Sequence, residues 1–354
     1  MKWISFLIVF LVLLTAPFAG AVLMLDENQQ SFDYETVKVN DFESLGVSVM
    51  SLSQALLEMN VKAERIRTVF EAYAQTFLSQ TSIIELEIER SFIQQRLSDD
   101  IYEKRVTRIL GDPIYAHVSP QVEIKVFELK ELDYRGYMAK VKLFDPTSIH
   151  VVLAGDEPGG LETTTDMAKR HKAMLAINGG GFGVDDSSGK VTSHMVGATV
   201  KDGEVVQSFV KKSETLFFAG VNESGKVIGT IPQSQKDIDE LEPYQGISFI
   251  PVLLKGGRKI DIPSSWRYTK HPRTILGRYA NEDLLLIVVD GRQAYWSKGV
   301  TLERLQEKLQ DLGVQDAYNL DGGGSSTFYF NGYVLNKPSD GAERPIANAI
   351  IITP

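Results

Sequence analysis

The residues best suited to chemistry lie in two glycine-rich segments, and each segment directly follows a short apolar run. In the first segment, Asn178 leads into three glycines. The second spans residues 319–326 (NLDGGGSS) and contains Asn319 and Asp321. On a strand, residues two apart point to the same side, so these two side chains are expected to face a common site. Glycine allows the backbone to approach a ligand closely, although an asparagine that simply caps a turn would also explain the first segment.

The three consecutive glycines of the second segment predict an anion-binding loop. Gly322, Gly323 and Gly324 can expose successive N–H groups as a nest, and Ser325 and Ser326 add hydroxyl donors. A turn between strands is the alternative, but a tight turn needs only one or two glycines. No Gly-Lys-Ser/Thr follows the loop, and no G-x-G-x-x-G is present in it. These absences exclude a P-loop and a dinucleotide fingerprint here.

Arginines elsewhere in the chain could complete such a site. Arg273 lies in the segment HPRT, Arg292 follows Asp290 and Gly291, and Arg344 lies near the C-terminus. Two or three guanidinium groups beside a donor-rich loop would suit the anionic oxygens of a phosphodiester. The alternative for each arginine is an ordinary surface ion pair with a glutamate.

Two further groups are weaker candidates. His194 could donate a proton, but a structural, hydrogen-bonded histidine fits the sequence equally well. Asp185 and Asp186 could bind a cation, although an exposed polar loop is the favoured interpretation. The sequence therefore predicts neither a metal site nor a cofactor.

The pattern of apolar residues predicts the elements that position these groups. Alternating or β-branched runs favour strands, and most are joined by hairpins such as 196–206, which has Asp202-Gly203 at its turn. Residues 301–312 predict an amphipathic helix with Thr301 as N-cap and Gly313 after its end. The fold class is therefore α+β, with a large, mainly antiparallel or mixed sheet and flanking helices. The other expected strands are 122–129, 137–143, 149–153, 174–177, 216–219, 226–231, 273–279, 284–289, 317–320, 327–330, 333–335 and 349–352, with a helix at 163–171.

Five segments occur in an order that resembles the phosphodiester glycosidase domain family. They are AINGGGF, HPRTILGR, LIVVDGR, NLDGGGSST and the closing ERPIANAIII. The resemblance covers roughly residues 113–354 and implies a hydrolase that removes an N-acetylglucosamine-like sugar from a sugar-1-phosphodiester. The family usually shows an aromatic pair after Asn-Gly-Gly; here Gly181 takes the first aromatic position and only Phe182 remains. The shape of one pocket wall, and with it the sugar preference, is therefore open.

The resemblance also implies which residues form the active site. Carried onto this sequence, the positions are Asn178, Arg273, Asp290, Asn319, Asp321, Ser325, Ser326 and, less directly, Arg344. A phosphate is already a good leaving group, so the main need is to hold the phosphodiester by charge and N–H donors. We assign that task to Arg273, the amides of the glycine loop, and Ser325.

The remaining positions take roles from general glycosidase chemistry, which normally uses two carboxyl groups. Asp321 is the expected base or nucleophile-side carboxylate, and Asp290 is the expected second carboxylate. Asn178 and Asn319 are expected to bind sugar hydroxyls or an acetamido group.

Composition excludes several other classes. The chain has 354 residues, of which 43% are hydrophobic, so it is not wholly disordered. Its net charge is −9 and no stretch is markedly basic, so nucleic acid is not an expected partner. It contains no cysteine, which excludes disulfides, thiolate nucleophiles and zinc–thiolate sites.

The N-terminus predicts export. Residues 3–25 are almost uninterrupted apolar, and a helix of about 1.5 Å per residue would reach across a bilayer core of about 30 Å. Two interpretations stay open for residues 1–25: a single-pass signal anchor, or a signal peptide cleaved near Ala19–Ala21. Either places the rest of the chain outside the cytoplasm, so the expected substrate is an envelope glycan or a teichoic-acid-like polymer.

Residues 26–112 predict a helical region ahead of a catalytic domain at 113–354. From Val47 to Leu110 there is neither glycine nor proline, and apolar residues from Leu45 to Phe77 follow a 4-3 spacing. A helical hairpin, a coiled coil between chains of a homo-oligomer, and ordinary packing on the next domain all satisfy this stripe. A non-catalytic envelope polysaccharide-binding protein with this region as a stalk is the alternative function.

Overall fold

The computed structural model of the chain describes residues 42–186 and 191–354. The predicted signal anchor or signal peptide at residues 1–25 lies outside this part. Among the helices of the described residues, none is long and apolar enough to cross a membrane. The chain divides into two compact units, Met1–Leu86 and Glu87–Pro354.

The described residues form helices, short 3-10 turns and twenty strands. The α-helices are α1 Phe42–Leu110, α2 Thr164–Arg170, α3 Gln235–Asp239 and α4 Leu302–Leu312. The 3-10 helices are Pro146–Ser148, Ala154–Asp156, Ser264–Trp266 and Gly323–Ser325. The strands are β1 Tyr115–Val118, β2 Val122–Lys130, β3 Arg135–Leu143, β4 Ile149–Leu153, β5 Leu175–Asn178, β6 Phe182–Asp185, β7 Thr192–Met195, β8 Thr199–Lys201, β9 Glu204–Gln207, β10 Phe217–Asn222, β11 Val227–Thr230, β12 Pro243–Phe249, β13 Val252–Lys255, β14 Arg258–Lys259, β15 Arg273–Arg278, β16 Leu284–Val289, β17 Asp316–Leu320, β18 Phe328–Phe330, β19 Tyr333–Val334 and β20 Asn348–Ile352.

The described part of the first unit is helix α1, which continues into the second unit as one helix of 69 residues. The predicted helical hairpin is therefore wrong. The polar stretch at 79–82 does not turn the chain, because its hydroxyls donate to carbonyls of the preceding turn: Ser79 Oγ to Thr76 O at 2.7 Å and Thr81 Oγ1 to Phe77 O at 2.9 Å. The apolar stripe is exposed, so a coiled coil between chains stays a prediction.

The last turns of α1 belong to the second unit and pack against its other elements. Val106 is fully buried, and the ring of Tyr102 lies 5.0 Å from that of Tyr279. Arg105 Nε donates to the carbonyl of Asp311 at 2.7 Å. Of the three interpretations of the helical region, packing on the following domain is therefore the one that applies to these last turns of α1.

Replacing Val106 with Asp should lower the free energy of unfolding of the second unit by about 3 kcal/mol or more, since it buries a charge without a partner. The measurement is urea or thermal unfolding of the full chain. Arg108→Asp, on an exposed position two residues on, is the control and should change stability by less than about 1 kcal/mol. Equal stability of the two variants would contradict the packing of these turns.

The largest sheet has eight strands in the order β1-β2-β3-β16-β15-β17-β13-β14. Its strands pair antiparallel, for example Arg273 with Val289 and Thr274 with Leu320. Alternate residues of β16 enter two different cores: Leu286 faces the core shared with the other sheets, while Ile287 faces α4 and the end of α1. The predicted α+β class with a large antiparallel sheet is confirmed.

Two five-stranded sheets complete the central core. One runs β11-β10-β12-β8-β9, and the other runs β19-β18-β5-β20-β4. Both contribute buried apolar side chains, such as Phe217 and Ile177, to the core that the eight-stranded sheet also lines. Asn178, at the end of β5, is thereby held next to the start of β15 and the end of β17. The two glycine-rich segments follow β5 and β17.

Candidate active site

Strand register gathers the charged residues at one end of the eight-stranded sheet. Arg273 begins β15, which runs antiparallel to both of its neighbours. Asp290 follows the end of β16, and Asp321 follows the end of β17. The three residues that the sequence scatters over almost fifty positions therefore lie at the same edge.

Asp321 is fixed by the first glycine-rich segment. Its backbone N–H donates to Gly179 O at 3.2 Å, and its carbonyl accepts from Asn178 Nδ2 at 2.6 Å. Its Oδ1 accepts from the N–H of Gly322 at 3.0 Å. Burial raises the pKa of its carboxyl, while Ser325, the Gly322 amide and Arg344 oppose the rise. The two segments meet as predicted, and they do so around one carboxyl group.

Asn178 has its own partners inside the protein. It is fully buried, and its Oδ1 accepts from Thr274 Oγ1 at 2.7 Å and from the N–H of Thr327 at 3.2 Å. Asn319 is 1% exposed, and its Nδ2 donates to Ile250 O at 2.7 Å. Asn178 does not fit the predicted contact with sugar, because its side-chain nitrogen and oxygen are both bonded within the protein. Asn319 Oδ1 has no hydrogen-bond partner within the described residues, so the predicted role of Asn319 stays a prediction. Both hold strands together beneath the site.

The two serines after the glycines are also buried. Ser326 is 1% exposed and lies 3.5 Å from Thr274 Oγ1, so it belongs to the same buried polar group as Asn178. Ser325 is also 1% exposed, and its Oγ has no hydrogen-bond partner of normal geometry within the described residues, although it lies close enough to lower the pKa of Asp321. An unpartnered hydroxyl beside a carboxyl group is a suitable donor for a ligand oxygen.

Two glycines of the loop lie against arginine side chains, and the third lies against the backbone at the start of β15. A Cβ at Gly322 would come 3.6 Å from Arg273 Cα and 2.7 Å from the carbonyl of Pro272. One at Gly323, where φ is +61°, would come 3.0 Å from Arg292 Nη2, and one at Gly324 would overlap the guanidinium of Arg344. The absence of side chains thus lets the guanidinium groups of Arg292 and Arg344, and the backbone of Arg273, approach this loop.

The predicted nest of glycine amides is only partly available. The N–H of Gly322 donates to Asp321, and that of Gly323 donates to the carbonyl of Pro272 at 3.0 Å. The loop folds as a 3-10 turn, which directs these two amides into the protein. The arginines therefore offer more to an anion than the backbone does.

Arg273 is a buried cation without a carboxylate partner. It is 2% exposed; its Nη2 donates to Thr269 O at 3.0 Å, and its guanidinium lies 5.7 Å from the Trp266 ring centroid. Within the described part of the chain it forms no ion pair. Burial lowers its pKa to about 10; Glu303 opposes the fall from beyond ion-pair contact, and Arg292 adds to it. A buried guanidinium with no anion of its own is suited to bind one from outside.

Asp290 differs from Asp321, because both of its oxygens are occupied. Oδ2 accepts from Trp296 Nε1 at 2.7 Å, and Oδ1 accepts from Asn336 Nδ2 at 3.0 Å and the Lys337 N–H at 2.9 Å. Burial raises its pKa, against these three hydrogen bonds. Asp290 is 1% exposed, so its carboxyl is buried and holds the neighbouring segments in place.

The remaining predicted residues lie at or near the rim. Arg344 is half exposed and pairs with Asp340 at 3.1 Å. His194 lies in β7 opposite Gly183, and within the described residues no hydrogen bond joins it to the predicted site. No group of three or more histidine and acidic residues that could hold a metal ion, at Asp185–Asp186 or elsewhere, occurs in the described part.

An aromatic wall beside Arg273 was missed by the sequence reasoning. The ring of Phe249 fills the space above Gly181, where a Cβ would overlap it. Phe249 contacts Trp266 edge to face with centroids 5.8 Å apart, and Trp266 in turn covers Arg273. The glycine at 181 was the available signal, since its space had to be filled by another side chain. Asn336 was missed as well, whereas Arg292 was among the arginines that the sequence offered for an anion.

Comparison with known proteins agrees with this geometry. The family model described as phosphodiester glycosidase matches residues 171–353, which is more than half of the chain. The chain belongs to the phosphodiester glycosidase family. The family match includes Arg273, Asp290 and Asp321 with the loops around them.

Relatives and a solved structure extend the match. The chain is 29% identical over 218 residues to the SPbeta prophage-derived uncharacterized protein YomE of Bacillus subtilis, covering 60% of this chain and 32% of that protein. It is 27% identical over 229 residues to N-acetylglucosamine-1-phosphodiester alpha-N-acetylglucosaminidase of Mus musculus, covering 58% and 41%. The chain thus spans well under half of either relative.

The fold also resembles a solved catalytic domain. The zebrafish N-acetylglucosamine-1-phosphodiester alpha-N-acetylglucosaminidase catalytic domain, described as auto-inhibited by pro-peptide, superimposes with a TM-score of 0.53 at 26% identity. The match covers 69% of this chain and 87% of that one. Most of that catalytic domain therefore has a counterpart here.

Proposed function

We propose that this protein is an exported hydrolase that releases a sugar, N-acetylglucosamine or a close relative, from a sugar-1-phosphodiester in an envelope glycan or teichoic-acid-like polymer. Residues 113–354 would be the catalytic domain. One observation carries the proposal: Asp321, whose pKa is raised by burial, lies at the same sheet edge as Arg273, a buried guanidinium without a carboxylate partner. The family and the named relatives supply the substrate class.

The phosphodiester would be held by charge. Burial has already removed water from the guanidinium of Arg273. Binding an anionic phosphate oxygen therefore costs little further desolvation of this group. Arg344 and the unpartnered Ser325 Oγ offer further donors at the glycine loop. The bond between the anomeric carbon and the phosphate oxygen then breaks, and the phosphate monoester leaves without needing a strong acid.

Asp321 would act on the sugar side. The Gly322 amide holds Oδ1, and Oδ2 accepts no hydrogen bond of normal geometry within the described residues, although the Ser325 hydroxyl lies close beside the carboxyl. Oδ2 can activate a water molecule or attack the anomeric carbon directly, in either case stabilising the positive charge that develops on the sugar. The sugar leaves with a hydroxyl derived from water.

The first experiment is to incubate the region after Asp26 with sugar-1-phosphodiesters and UDP-sugars and to identify the products. In water labelled with ¹⁸O, the label should appear on the released sugar. Label on the phosphate would show cleavage of the P–O bond and would make the protein a phosphodiesterase instead.

A second candidate function is a non-catalytic polysaccharide-binding protein. The observation in its favour is Asp290, whose oxygens are both occupied, so that the predicted second carboxylate is not open to substrate. Tight glycan binding with no hydrolysis across a panel of phosphodiesters would establish this alternative.

The pH profile should depend on Arg344. As a base, Asp321 must be ionised, so activity is lost as pH falls through its pKa, which burial places above the ordinary aspartate value. Arg344 opposes that rise, so Arg344→Gln should move the acidic limb of kcat to higher pH. Arg304→Gln, which removes an exposed cation paired with Glu307, is the control and should leave the limb in place. A shift to lower pH would contradict the assigned role of Asp321.

A further inference from the structure

Arg292 lies at the edge of the site, close enough to Asp340 to lower the pKa of that carboxyl. Its Nη2 is 3.0 Å from the position of a Cβ on Gly323, and its side chain is exposed. Within the described residues no ion pair or hydrogen bond involves its guanidinium. Its φ is +60°, a left-handed conformation that is strained for a residue with a long side chain. The surrounding loop must hold this conformation.

Asp290 holds the loop that carries Arg292 in this conformation. Its carbonyl accepts from Ser297 Oγ at 2.6 Å, and its carboxyl binds Trp296 within the loop and the backbone of Lys337 outside it. The loop 290–297 is closed further by Gln293 N–H to Ser297 O at 2.9 Å. One buried carboxyl group therefore fixes both ends of the loop that carries Arg292, two residues after itself.

Neither guanidinium group at this edge forms an ion pair within the described residues, although Glu303 acts on Arg273 and Arg292 acts on Asp340 from beyond ion-pair contact. Arg273 lies beneath Trp266 and Arg292 lies over Gly323, and each is close enough to affect the same neighbour, since both lower the pKa of His271. Arg292 lowers the pKa of Arg273, so the two charges repel each other, and an anion between them would reduce that repulsion. Surface arginines normally offset such repulsion by pairing with an acidic residue.

We propose that Arg292 is a second anion-binding residue, which with Arg273 grips one phosphate group, and that Asp290 is a positioning residue for its loop and not the second catalytic carboxylate. The inference rests on the proposed function only for the identity of the natural ligand. The chemistry recognised is a phosphate group, either the diester of the substrate or the monoester left after cleavage. Two guanidinium groups can contact several of its oxygens at once.

The test measures binding of inorganic phosphate to the full chain by calorimetry. Arg292→Ala should weaken the affinity by about tenfold, the size expected for a lost charge-assisted hydrogen bond. Lys298→Ala, which removes an exposed cation from the next turn of the same segment, should stay within about twofold. Unchanged phosphate affinity in Arg292→Ala would overturn the proposal.

The role of Asp290 is tested by a double-mutant cycle. Asp290→Asn should weaken phosphate binding in the wild-type background and have no further effect when Arg292 is already Ala, since both changes remove the same contact. A loss of the same size in both backgrounds would contradict positioning. If Asp290→Asn does not fold, Trp296→Phe removes one of the hydrogen bonds to the same carboxyl and should show the same pattern.

Failure of this inference can be distinguished from failure of the proposed function. Phosphate binding that depends on Arg292, in a protein that hydrolyses no sugar phosphodiester, would sustain the inference and reject the enzyme. Hydrolysis with an unchanged KM in Arg292→Ala would sustain the enzyme and reject the inference.

Discussion

Asp321→Asn should reduce kcat/KM for sugar release from a sugar-1-phosphodiester by about a thousandfold, within the range seen when a general base or nucleophile is removed. The substitution preserves the shape of the side chain and the hydrogen bond that Oδ1 accepts from Gly322. It removes the negative charge that would face the anomeric carbon. Release of free sugar from the substrate is the measurement.

The fold should tolerate this change, because the backbone of Asp321 is held from both sides. Its N–H bonds to Gly179 and its carbonyl to Asn178, and neither contact involves the carboxyl. Asp340→Asn is the matched control, since it neutralises an exposed carboxyl at the same rim and should cost less than about tenfold. Full turnover in Asp321→Asn would reject the assignment.

Arg273→Ala should lower kcat/KM by about a hundredfold or more, because it removes a desolvated cation from the proposed phosphate site. Arg273→Lys should recover only part of the loss. A lysine carries all of its N–H donors on one nitrogen, so it cannot reach the carbonyl of Thr269 and the ligand from separate nitrogens in a fixed plane, as a guanidinium does.

Arg278→Ala is the control for this prediction. It lies at the other end of the same strand, where its guanidinium pairs with Asp316 at 2.8 Å. Its loss should lower stability and leave KM unchanged at a temperature where the protein is folded. Equal effects of Arg273→Ala and Arg278→Ala on KM would show that the first acts through the strand and not through the ligand.

Local features of the sequence were sufficient to predict much of the fold. Strand β4 has the predicted bounds, and the Asp202-Gly203 turn adopts positive φ at both residues, as a type I′ hairpin requires. Helix α4 is capped by Thr301, whose side chain accepts from the N–H of Arg304, and ends at the left-handed Gly313. Each of these features depends on a few neighbouring residues, which is why a single sequence reveals them.

The roles of polar side chains were harder to predict, because burial depends on distant parts of the chain. Asn178 and Asn319 look like ligand-binding residues from their neighbours, yet β15 and the turn before β13 cover them. The groups that donate hydrogen bonds to the Asp290 carboxyl belong to residues 296, 336 and 337, and no local sequence pattern links these residues to Asp290. The sequence predicted which residues meet, but not which of them face solvent.

The predicted hairpin failed for a related reason. A stretch of four polar residues looked like a break in an apolar stripe, but serine and threonine can remain helical by bonding to the preceding turn. A turn needs a residue that leaves the helical region, such as glycine or proline, and none occurs there.

A contact chain runs from Gly181 through Phe249 and Trp266 to Arg273, and it would couple the proposed sugar side of the site to the proposed phosphate side. A larger side chain at position 181 would displace Phe249. Phe249 would in turn displace Trp266, and Trp266 would displace the guanidinium of Arg273. Directed evolution toward a different glycone should therefore select compensating changes at residues 249 and 266, and variants altered at 181 alone should lose discrimination between phosphodiesters as well as between sugars.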